Sequence, residues 1–426
     1  MEALREKKIE KNGIHFHFIP TNKFKTVNMV IKCKTTLNRE TVTKRAMLPY
    51  VLEKATKNHP TEKAFMKALD ELYGADFSIN GAKRGDSHIL TFRLEVPNDK
   101  YLKQEDHLTT EAFQLLHEAL YHPYTENGSF SETIVEREKQ NLKNNLISIH
   151  DDKLAYANMR LIDHMCESER FSIHKNGYIE DIPEITAVTL FEYYKRVLEE
   201  DDIDVYITGD INIAEMEEQT EKIFKLKANP DHQLPEKEIV EASASVVMKE
   251  EQDIQQAKLH MGFRTAITYE HPDYFALQVF NGLFGGFPSS KLFTEVREKK
   301  SLAYYVASQI EGHKGLMFVF SGIAPDSFQQ TKDIILQQKN AMDQGEFTEA
   351  ETEEAKALLI SGLKETLDNA QGIVELFYER VLSGLKRTPE QFIEGIRQVT
   401  KEDVQRVANI VYLDTIYLLT NEEGEN

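Results

Sequence analysis

VNMVIKCKT, residues 27–35, alternates apolar with polar side chains in the way that a half-buried β-strand does. A polar turn leads from it to a stretch of helical period around residues 47–55, and a second such stretch, EKAFMKALDELYG, ends at Gly74. Two alternating segments, ADFSINGAK and HILTFRLEV, flank the turn residues RGDS and predict a hairpin. The half closes with a helical segment, ITAVTLFEYYKRVL, and a strand, DVYITGDI.

The same order of elements recurs from Ala257 onwards, which indicates an internal duplication. AKLHMGFRT alternates, HPDYFALQVFNGLFGG predicts a helix that begins near Pro272 and ends at Gly285 and Gly286, and SKLFTEVREK predicts the next helix. AYYVASQIE and GLMFVFSGI predict two strands, and VTKEDVQRVANIV and TIYLLT close the half. The duplication predicts an α+β fold with two homologous lobes, each a mainly antiparallel sheet packed with helices.

The boundary between the lobes is predicted at a segment without a sustained period. KANPDHQLPEKEIVEASAS, from Lys227, is rich in Pro, Ala, Ser and acidic residues, as exposed linkers are. We therefore predict an N-terminal lobe at 1–228, a linker at 229–250 and a C-terminal lobe at 251–426. Two such lobes would enclose a chamber, and their sheets could offer an edge to an extended peptide.

The composition of the chain argues against some classes of binding partner. The chain has 426 residues and a formal net charge of -20, so its field repels phosphate backbones and anionic membrane surfaces, and we predict no nucleic-acid or membrane partner. The charged start lacks the apolar core of a signal peptide, and no run of about 18 apolar residues occurs, so a cytoplasmic location is predicted. The two cysteines, Cys33 and Cys166, cannot build a disulfide framework or a thiolate metal site, and burial as small apolar groups is expected of both.

Two stretches, RAMLPYVLEKAT at 45–56 and GGFPSSKLFTEVREKKSLAYYVAS at 285–308, together with the duplication, resemble the zinc peptidase family of insulinase, pitrilysin and the mitochondrial processing peptidases. The resemblance implies duplicated LuxS/metallopeptidase-like lobes. It also implies H-x-x-E-H on a helix, in which two His bind zinc and the Glu activates water, with a Glu further along as third ligand. The matching pentad here is Tyr50, Val51, Leu52, Glu53 and Lys54, so the Glu is kept and both His are replaced.

These replacements disfavour zinc. The Tyr50 phenol is a poor ligand at neutral pH, and freeing the lone pair of Lys54 would cost roughly 5 kcal/mol at pH 7 before any bond to a metal formed. We therefore expect no zinc and no other cofactor. Lys54 is expected to pair with an acidic neighbour such as Glu136. Pro49, just before the first ligand position, is expected to distort or start the helix.

The position of the third ligand falls within SETIVEREKQNLKNN. The resemblance matches it best to Glu136, and register leaves Glu132 and Glu138 as alternatives. An ordinary acidic helix face, with Glu132 and Glu136 one turn apart, explains the same residues without any site.

The other histidines do not form a recognisable metal motif. HEALYH, His117 to His122, nearly matches H-E-x-x-H, but its two His lie about 140° apart around a helix. His15 and His17 could point the same way on a strand, and His164 with Cys166 could also, but neither pair has a third ligand nearby. Surface or core positions are favoured for all of them.

Arg297 and Tyr304 stand seven residues apart in REKKSLAY, the spacing at which active relatives carry an Arg and a Tyr that contact the substrate near the cleaved bond. The resemblance therefore implies that Arg297 and Tyr304 bind substrate. Both can donate a hydrogen bond to a peptide carbonyl. A locally paired helix-end Arg and a Tyr at the edge of a core remain the alternative.

The leading hypothesis is a catalytically inactive metallopeptidase homologue that serves as a peptide-binding or scaffolding subunit in a heterodimer with an H-x-x-E-H relative. The alternative is an active zinc metalloendopeptidase with unorthodox ligands. A third class is a homodimer that holds peptides or acts as a scaffold without a catalytic partner. Tyr50→His combined with Lys54→His would rebuild the pentad and could restore zinc binding if Glu136 is well placed.

Overall fold

The computed structural model describes residues 4–102, 107–224 and 245–421. These fall into two compact units, each of which includes a segment from the other half of the chain. The first unit takes Met1–Ser148, Ile173–Glu236 and Asp368–Glu375, and the second takes Ile149–Ser172, Lys237–Leu367 and Leu376–Asn426. A single cut in the sequence therefore does not separate them.

The first unit is built on a six-stranded sheet. Its strands are β1 (Lys7–Lys11), β2 (Ile14–Pro20), β3 (Thr26–Thr36), β4 (Asp76–Arg84), β5 (Ser87–Pro97) and β6 (Asp202–Gly209). They lie in the order β1-β2-β6-β3-β5-β4, which leaves β4 at one edge. β2 and β6 are parallel, whereas the other pairs are antiparallel.

Seven helices belong to the described residues of the first half of the chain. They are α1 (Val42–Leu52), α2 (Glu62–Glu71), α3 (Leu108–Tyr121), α4 (Glu132–Asp151), α5 (Lys153–Met165), α6 (Ala187–Glu200) and α7 (Ile213–Ile223). Local signals set several ends: the Thr61 side chain accepts the Ala64 N–H at the start of α2, and Gly74 takes a φ of +71° just beyond its end.

The second unit has a five-stranded sheet. Its strands are β7 (Val246–Glu251), β8 (Ala257–Arg264), β9 (Ala303–Glu311), β10 (Leu316–Ile323) and β11 (Tyr412–Thr420), in the order β7-β11-β8-β10-β9. The helices of this half are α8 (Tyr274–Asn281), α9 (Phe328–Asp343), α10 (Glu349–Thr366), α11 (Ala370–Ser383), α12 (Pro389–Gln398) and α13 (Lys401–Ala408). α8 continues to Gly286 as a π-helical segment, and Phe293–Lys299 forms another.

The two sheets share one topology. If β1 is left out, each sheet has five strands. In both sheets the first strand in chain order lies beside the fifth, and the second, the fourth and the third follow in that order across the sheet. The first and fifth are parallel in both sheets, and the other neighbours are antiparallel. The predicted α+β fold of two homologous, mainly antiparallel lobes is confirmed.

The predicted linker at 229–250 lies for the most part outside the described residues, and residues 246–250 belong to β7. Both cysteines are fully buried and neither is in a disulfide, and burial raises the pKa of the Cys33 thiol far above its usual value. Within the described ranges, every helix is too short or too polar to cross a bilayer.

Candidate functional site

The degenerate pentad lies at the end of α1. The helix begins at Val42, so Pro49 lies inside it and does not start it. α1 ends at Leu52, Glu53 is its C-cap, and the Lys54 N–H donates to the Val51 carbonyl at 3.2 Å in a tight final turn. Lys54 therefore stands beyond the helix, and Tyr50 stands within it.

A cleft of about 390 Å³ opens beside this helix end in the first unit. It lies between α1, the edge strand β4, α4 and the chain just after residue 172, and most of its side-chain lining is polar. The lining residues are Ala46, Pro49, Tyr50, Glu53, Ile79, Asn80, Gly81, Leu142, Asn145, Lys175 and Asn176.

Glu53 does not hold its carboxylate free in the cleft. Its Oε1 accepts the backbone N–H of Ile79 on β4. Burial raises the pKa of Glu53, with a further rise from the charge of Glu138, and the Ile79 N–H and the Lys54 ammonium offset only part of this. The glutamate that matches the water-activating residue of active relatives is therefore engaged with the backbone of its own sheet.

Tyr50 presents a protonated phenol to the cleft. Burial raises the pKa of Tyr50, and the carboxylates of Glu53 and Glu138 raise it further. A phenol that holds its proton more tightly than usual is a hydrogen-bond donor and not an anionic ligand at neutral pH.

Lys54 is paired, but not with Glu136. Its Nζ lies 3.5 Å from Oε1 of Glu62 at the start of α2. Arg137 contacts the other oxygen of Glu62 at 3.2 Å and Oε1 of Glu138 at 2.7 Å. A chain of opposite charges thus links the end of α1 to α2 and α4. The predicted Lys54–Glu136 pair is wrong, because Glu136 bonds to Lys139 at 3.0 Å on its own helix.

The register of α4 explains that error. The side chain of Glu136 is 66% exposed, whereas that of Glu138 is 1% exposed and also accepts a hydrogen bond from Asn141 at 2.6 Å. Two residues turn a helix by about 200°, so the two carboxylates cannot share a face. Of the two carboxylates, it is Glu138 whose charge raises the pKa of Tyr50 and of Glu53. The buried residues Val135, Leu142 and Leu146 carry the helical period that could have identified it.

The histidines outside the pentad that the sequence offered as metal ligands contact aromatic rings, an arginine or a carboxylate. His117 stacks on Tyr121 with ring centroids 4.8 Å apart, and burial together with His122 lowers the pKa of His117 to about 4. His164 lies over Tyr417, and its Nε2 is 3.3 Å from the Arg160 guanidinium.

His15 and His17 share a carboxylate. Nδ1 of His15 is 3.5 Å and Nε2 of His17 is 2.9 Å from the same oxygen of Asp204. Across residues 4–102, 107–224 and 245–421, no three His, Cys, Asp or Glu side chains are grouped as metal ligands.

Arg297 and Tyr304 lie in the second unit. Arg297 is exposed, and its guanidinium sits 4.8 Å from the ring centre of Phe293, one turn earlier. Tyr304 is 68% exposed on β9, one of the two edge strands of its sheet. Their role in substrate binding stays a prediction.

Sequence reasoning missed Lys175. Its Nζ donates to the carbonyl of Gly81 on β4 at 3.3 Å, and partial desolvation, with repulsion from Arg84, lowers the pKa of Lys175. No motif surrounds this residue in the sequence. It reaches the cleft only because the chain after α5 returns to the first unit.

The fold and the cleft define a two-unit metallopeptidase-like chain in which Tyr50 and Lys54 replace the histidines of the zinc motif. A family model described as the peptidase M16 inactive domain matches residues 184–359. The chain is 41% identical over 424 residues to "Probable inactive metalloprotease YmfF" of Bacillus subtilis, with 100% of each chain covered. It belongs to the peptidase M16 family, and the prediction of an inactive metalloprotease homologue is confirmed.

Solved structures agree on the whole fold. A conserved protein from Enterococcus faecalis V583 superimposes with a TM-score of 0.89 at 35% identity and covers 99% of both chains. A protease from Helicobacter pylori superimposes with a TM-score of 0.84 at 18% identity, over 98% of this chain and 99% of that one. This second likeness concerns the fold alone.

Proposed function

We propose that this chain is a non-catalytic subunit that holds an extended polypeptide at the β4 edge and acts beside an H-x-x-E-H relative. The observation that carries the proposal is a cleft beside β4, a strand that among the described residues has a neighbouring strand on one side only, while both imidazole positions hold Tyr50 and Lys54.

The shape of the site supports peptide binding. β4 is an edge strand, and extended peptides commonly add to such edges through main-chain hydrogen bonds while neighbouring pockets take alternate side chains. A volume of about 390 Å³ falls within the range of ligand pockets. Polar side chains from three directions, Asn80, Asn145 and Asn176, can fix the orientation of a peptide.

The chemistry of the site argues against hydrolysis. Water activation by zinc needs a metal held by neutral imidazoles and a free carboxylate as base. Here Lys54 brings a cation to one ligand position, and Glu53 already accepts a backbone N–H. We therefore infer that zinc is absent and that any cleavage would be carried out by the partner.

Arg297 and Tyr304 are the residues that we assign to contact with the shared substrate. Both side chains are exposed and both can donate to a peptide carbonyl, the guanidinium with its charge. In a heterodimer these donors would serve a polypeptide whose scissile bond lies at the zinc of the other subunit.

Peptide binding is tested with a fluorescein-labelled synthetic peptide of alternating valine and lysine, made once with normal amides and once with alternate amides N-methylated. We expect saturable binding of the first and none of the second, because main-chain pairing needs free N–H groups. Equal binding of both peptides would show that the edge strand is not used.

The partner and the metal are tested on protein purified from its native host. We expect an H-x-x-E-H protein to co-purify and the chain alone to contain no zinc and cleave no peptide. One equivalent of bound zinc, with cleavage lost on chelation, would support the unorthodox peptidase instead. Self-association without such a partner would support the homodimeric scaffold.

A further inference from the structure

Two backbone groups on the free edge of β4 are already occupied. The N–H of Ile79 donates to Glu53, and the carbonyl of Gly81 accepts from Lys175 at 3.3 Å. Residues of an antiparallel strand alternate between pairing with the neighbouring strand and facing away from it. Ile79 and Gly81 are two residues apart, so both contacts lie on the side away from β5, which an added strand would use.

α1 holds both of these side chains in place. Glu53 caps its C-terminus. The loop that carries Lys175 is hydrogen-bonded to the N-terminal end of α1, where the Tyr178 N–H donates to Thr43 Oγ1 at 3.0 Å. Gly177 makes this approach possible, because it takes a φ of +80° and a Cβ there would lie 2.7 Å from the Cα of Thr43.

The two side chains imitate the peptide groups of a bound strand. A carboxylate replaces the carbonyl that would accept from Ile79, and an ammonium replaces the N–H that would donate to Gly81. Hydrogen bonds to charged groups are stronger than those between neutral amides. Native sheets also protect exposed edges with charged side chains, because an open edge otherwise pairs with other extended chains.

We propose that Glu53 and Lys175 form an autoinhibitory cap on the β4 edge, and that a polypeptide binds only by displacing them. The residue that matches the water-activating Glu of active relatives is then an intramolecular competitor of the peptide backbone. This inference rests on the proposed function, because it assumes that the β4 edge is the binding surface.

The cap is tested with Glu53→Ala and Lys175→Met, alone and together, and the valine-lysine peptide as probe. Each substitution should tighten binding on the order of tenfold, because the peptide no longer competes with a charged hydrogen bond. The N-methylated peptide should gain nothing. Glu71→Ala and Lys63→Met, exposed on α2, are the matched controls and should bind as the wild type does.

Amide hydrogen exchange gives a readout that does not need the peptide. Exchange of the Ile79 N–H should accelerate on the order of tenfold in Glu53→Ala and stay unchanged in Glu71→Ala. If the variants bind more weakly, Glu53 and Lys175 contact the ligand and the cap is refuted. If wild type and variants bind equally and exchange equally, the cap alone is refuted. If none binds the probe, the proposed function fails with it.

Discussion

Glu53 and its neighbours decide whether this site can be turned back into a metal centre. Position 54 lies past the end of α1, the Glu53 carboxylate is taken by Ile79, and Glu138 is held by Arg137. We therefore expect Tyr50→His combined with Lys54→His to retain less than one equivalent of zinc after dialysis, measured by metal analysis. A full equivalent in this double variant would contradict the expectation.

A third substitution tests whether the contact of Glu138 with Arg137 prevents zinc binding in the double variant. Adding Arg137→Leu to the double variant removes the 2.7 Å contact to Glu138 Oε1 and leaves the carboxylate whose charge acts on positions 50 and 53 without its guanidinium partner. Zinc retention should rise relative to the double variant. Arg137→Leu alone should bind none, because the pentad then still lacks imidazoles.

We expect His17 to make the stability of the first unit depend on pH. Its ring is 1% exposed, with Nε2 at 2.9 Å from Asp204 and Nδ1 at 2.6 Å from Glu6. Burial alone would lower the pKa of His17, but the hydrogen bonds and charges of the two carboxylates outweigh it and raise the pKa above its ordinary 6.5. The stabilisation is therefore complete below pH 6.5 and is lost as pH rises through the folded-state pKa.

The thermal unfolding midpoint of the wild type should accordingly fall as pH rises from 6.5, while His17→Gln should show a flatter profile over the same range. The measurement is differential scanning fluorimetry at closely spaced pH values. Exposed His150, changed to Gln, is the control and should keep the wild-type slope. If His17→Gln keeps the wild-type slope, a group other than His17 causes the pH dependence.

At the scale of elements, α1 is fixed to the sheet by one buried guanidinium. Arg45 Nη2 contacts Asp201 at 2.6 Å and the carbonyls of Cys33 and His88 at 2.7 and 3.2 Å. Removing one partner of a buried pair leaves an uncompensated charge, which typically costs about 3–5 kcal/mol. Arg45→Met should lower the free energy of unfolding of the first unit by that amount in urea titrations.

The double variant Arg45→Met with Asp201→Leu separates charge from packing. Because neither charge remains buried, it should lose less stability than the sum of the two single variants. Additive losses would mean that Arg45 and Asp201 stabilise the junction independently.

Gly177 is the second element-scale test, because it lets the Lys175 loop approach α1. Gly177→Ala should cost about 1–3 kcal/mol of unfolding free energy, since it adds a clash with Thr43 to the strain of a positive φ. Gly74→Ala is the matched control: its φ is +71° but nothing lies within 4 Å of the added Cβ, so only about 1 kcal/mol of strain is expected. Equal losses would show that the Thr43 contact is unimportant.

The elements themselves could be predicted because their signals are local. The strand predicted at AYYVASQIE is β9, and the hairpin around RGDS is β4 and β5. Which side chains meet could not be predicted in the same way. The Lys54–Glu62 contact depends on how α2 packs, and Lys175 approaches Gly81 across a long stretch of sequence. The choice between Glu136 and Glu138 was a question of helical register, which family matching alone did not resolve.

At the scale of the whole molecule, the two repeated halves of the sequence do not coincide with the two compact units of the structure. α5 belongs to the first half of the chain, yet it packs on β8 and β11 of the second unit. Its Leu161 and Met165 join a buried cluster with Phe318 and Tyr417. Alternation and period reveal that a segment is a helix, but not which sheet it covers, so the sequence could not assign α5 to the other half's sheet.

Metal removal tests the function of the whole molecule. A ligand that binds only the folded state at a thousand times its Kd stabilises a protein by about 4 kcal/mol, so stripping a structural or catalytic zinc should lower the unfolding midpoint by several degrees. In this chain Lys54 is paired with Glu62 and Glu53 with a backbone N–H. We expect a chelator to leave the midpoint unchanged, whereas an H-x-x-E-H relative treated in parallel should be destabilised. A fall in the midpoint together with release of one equivalent of zinc would show that the chain binds zinc and would support the active peptidase.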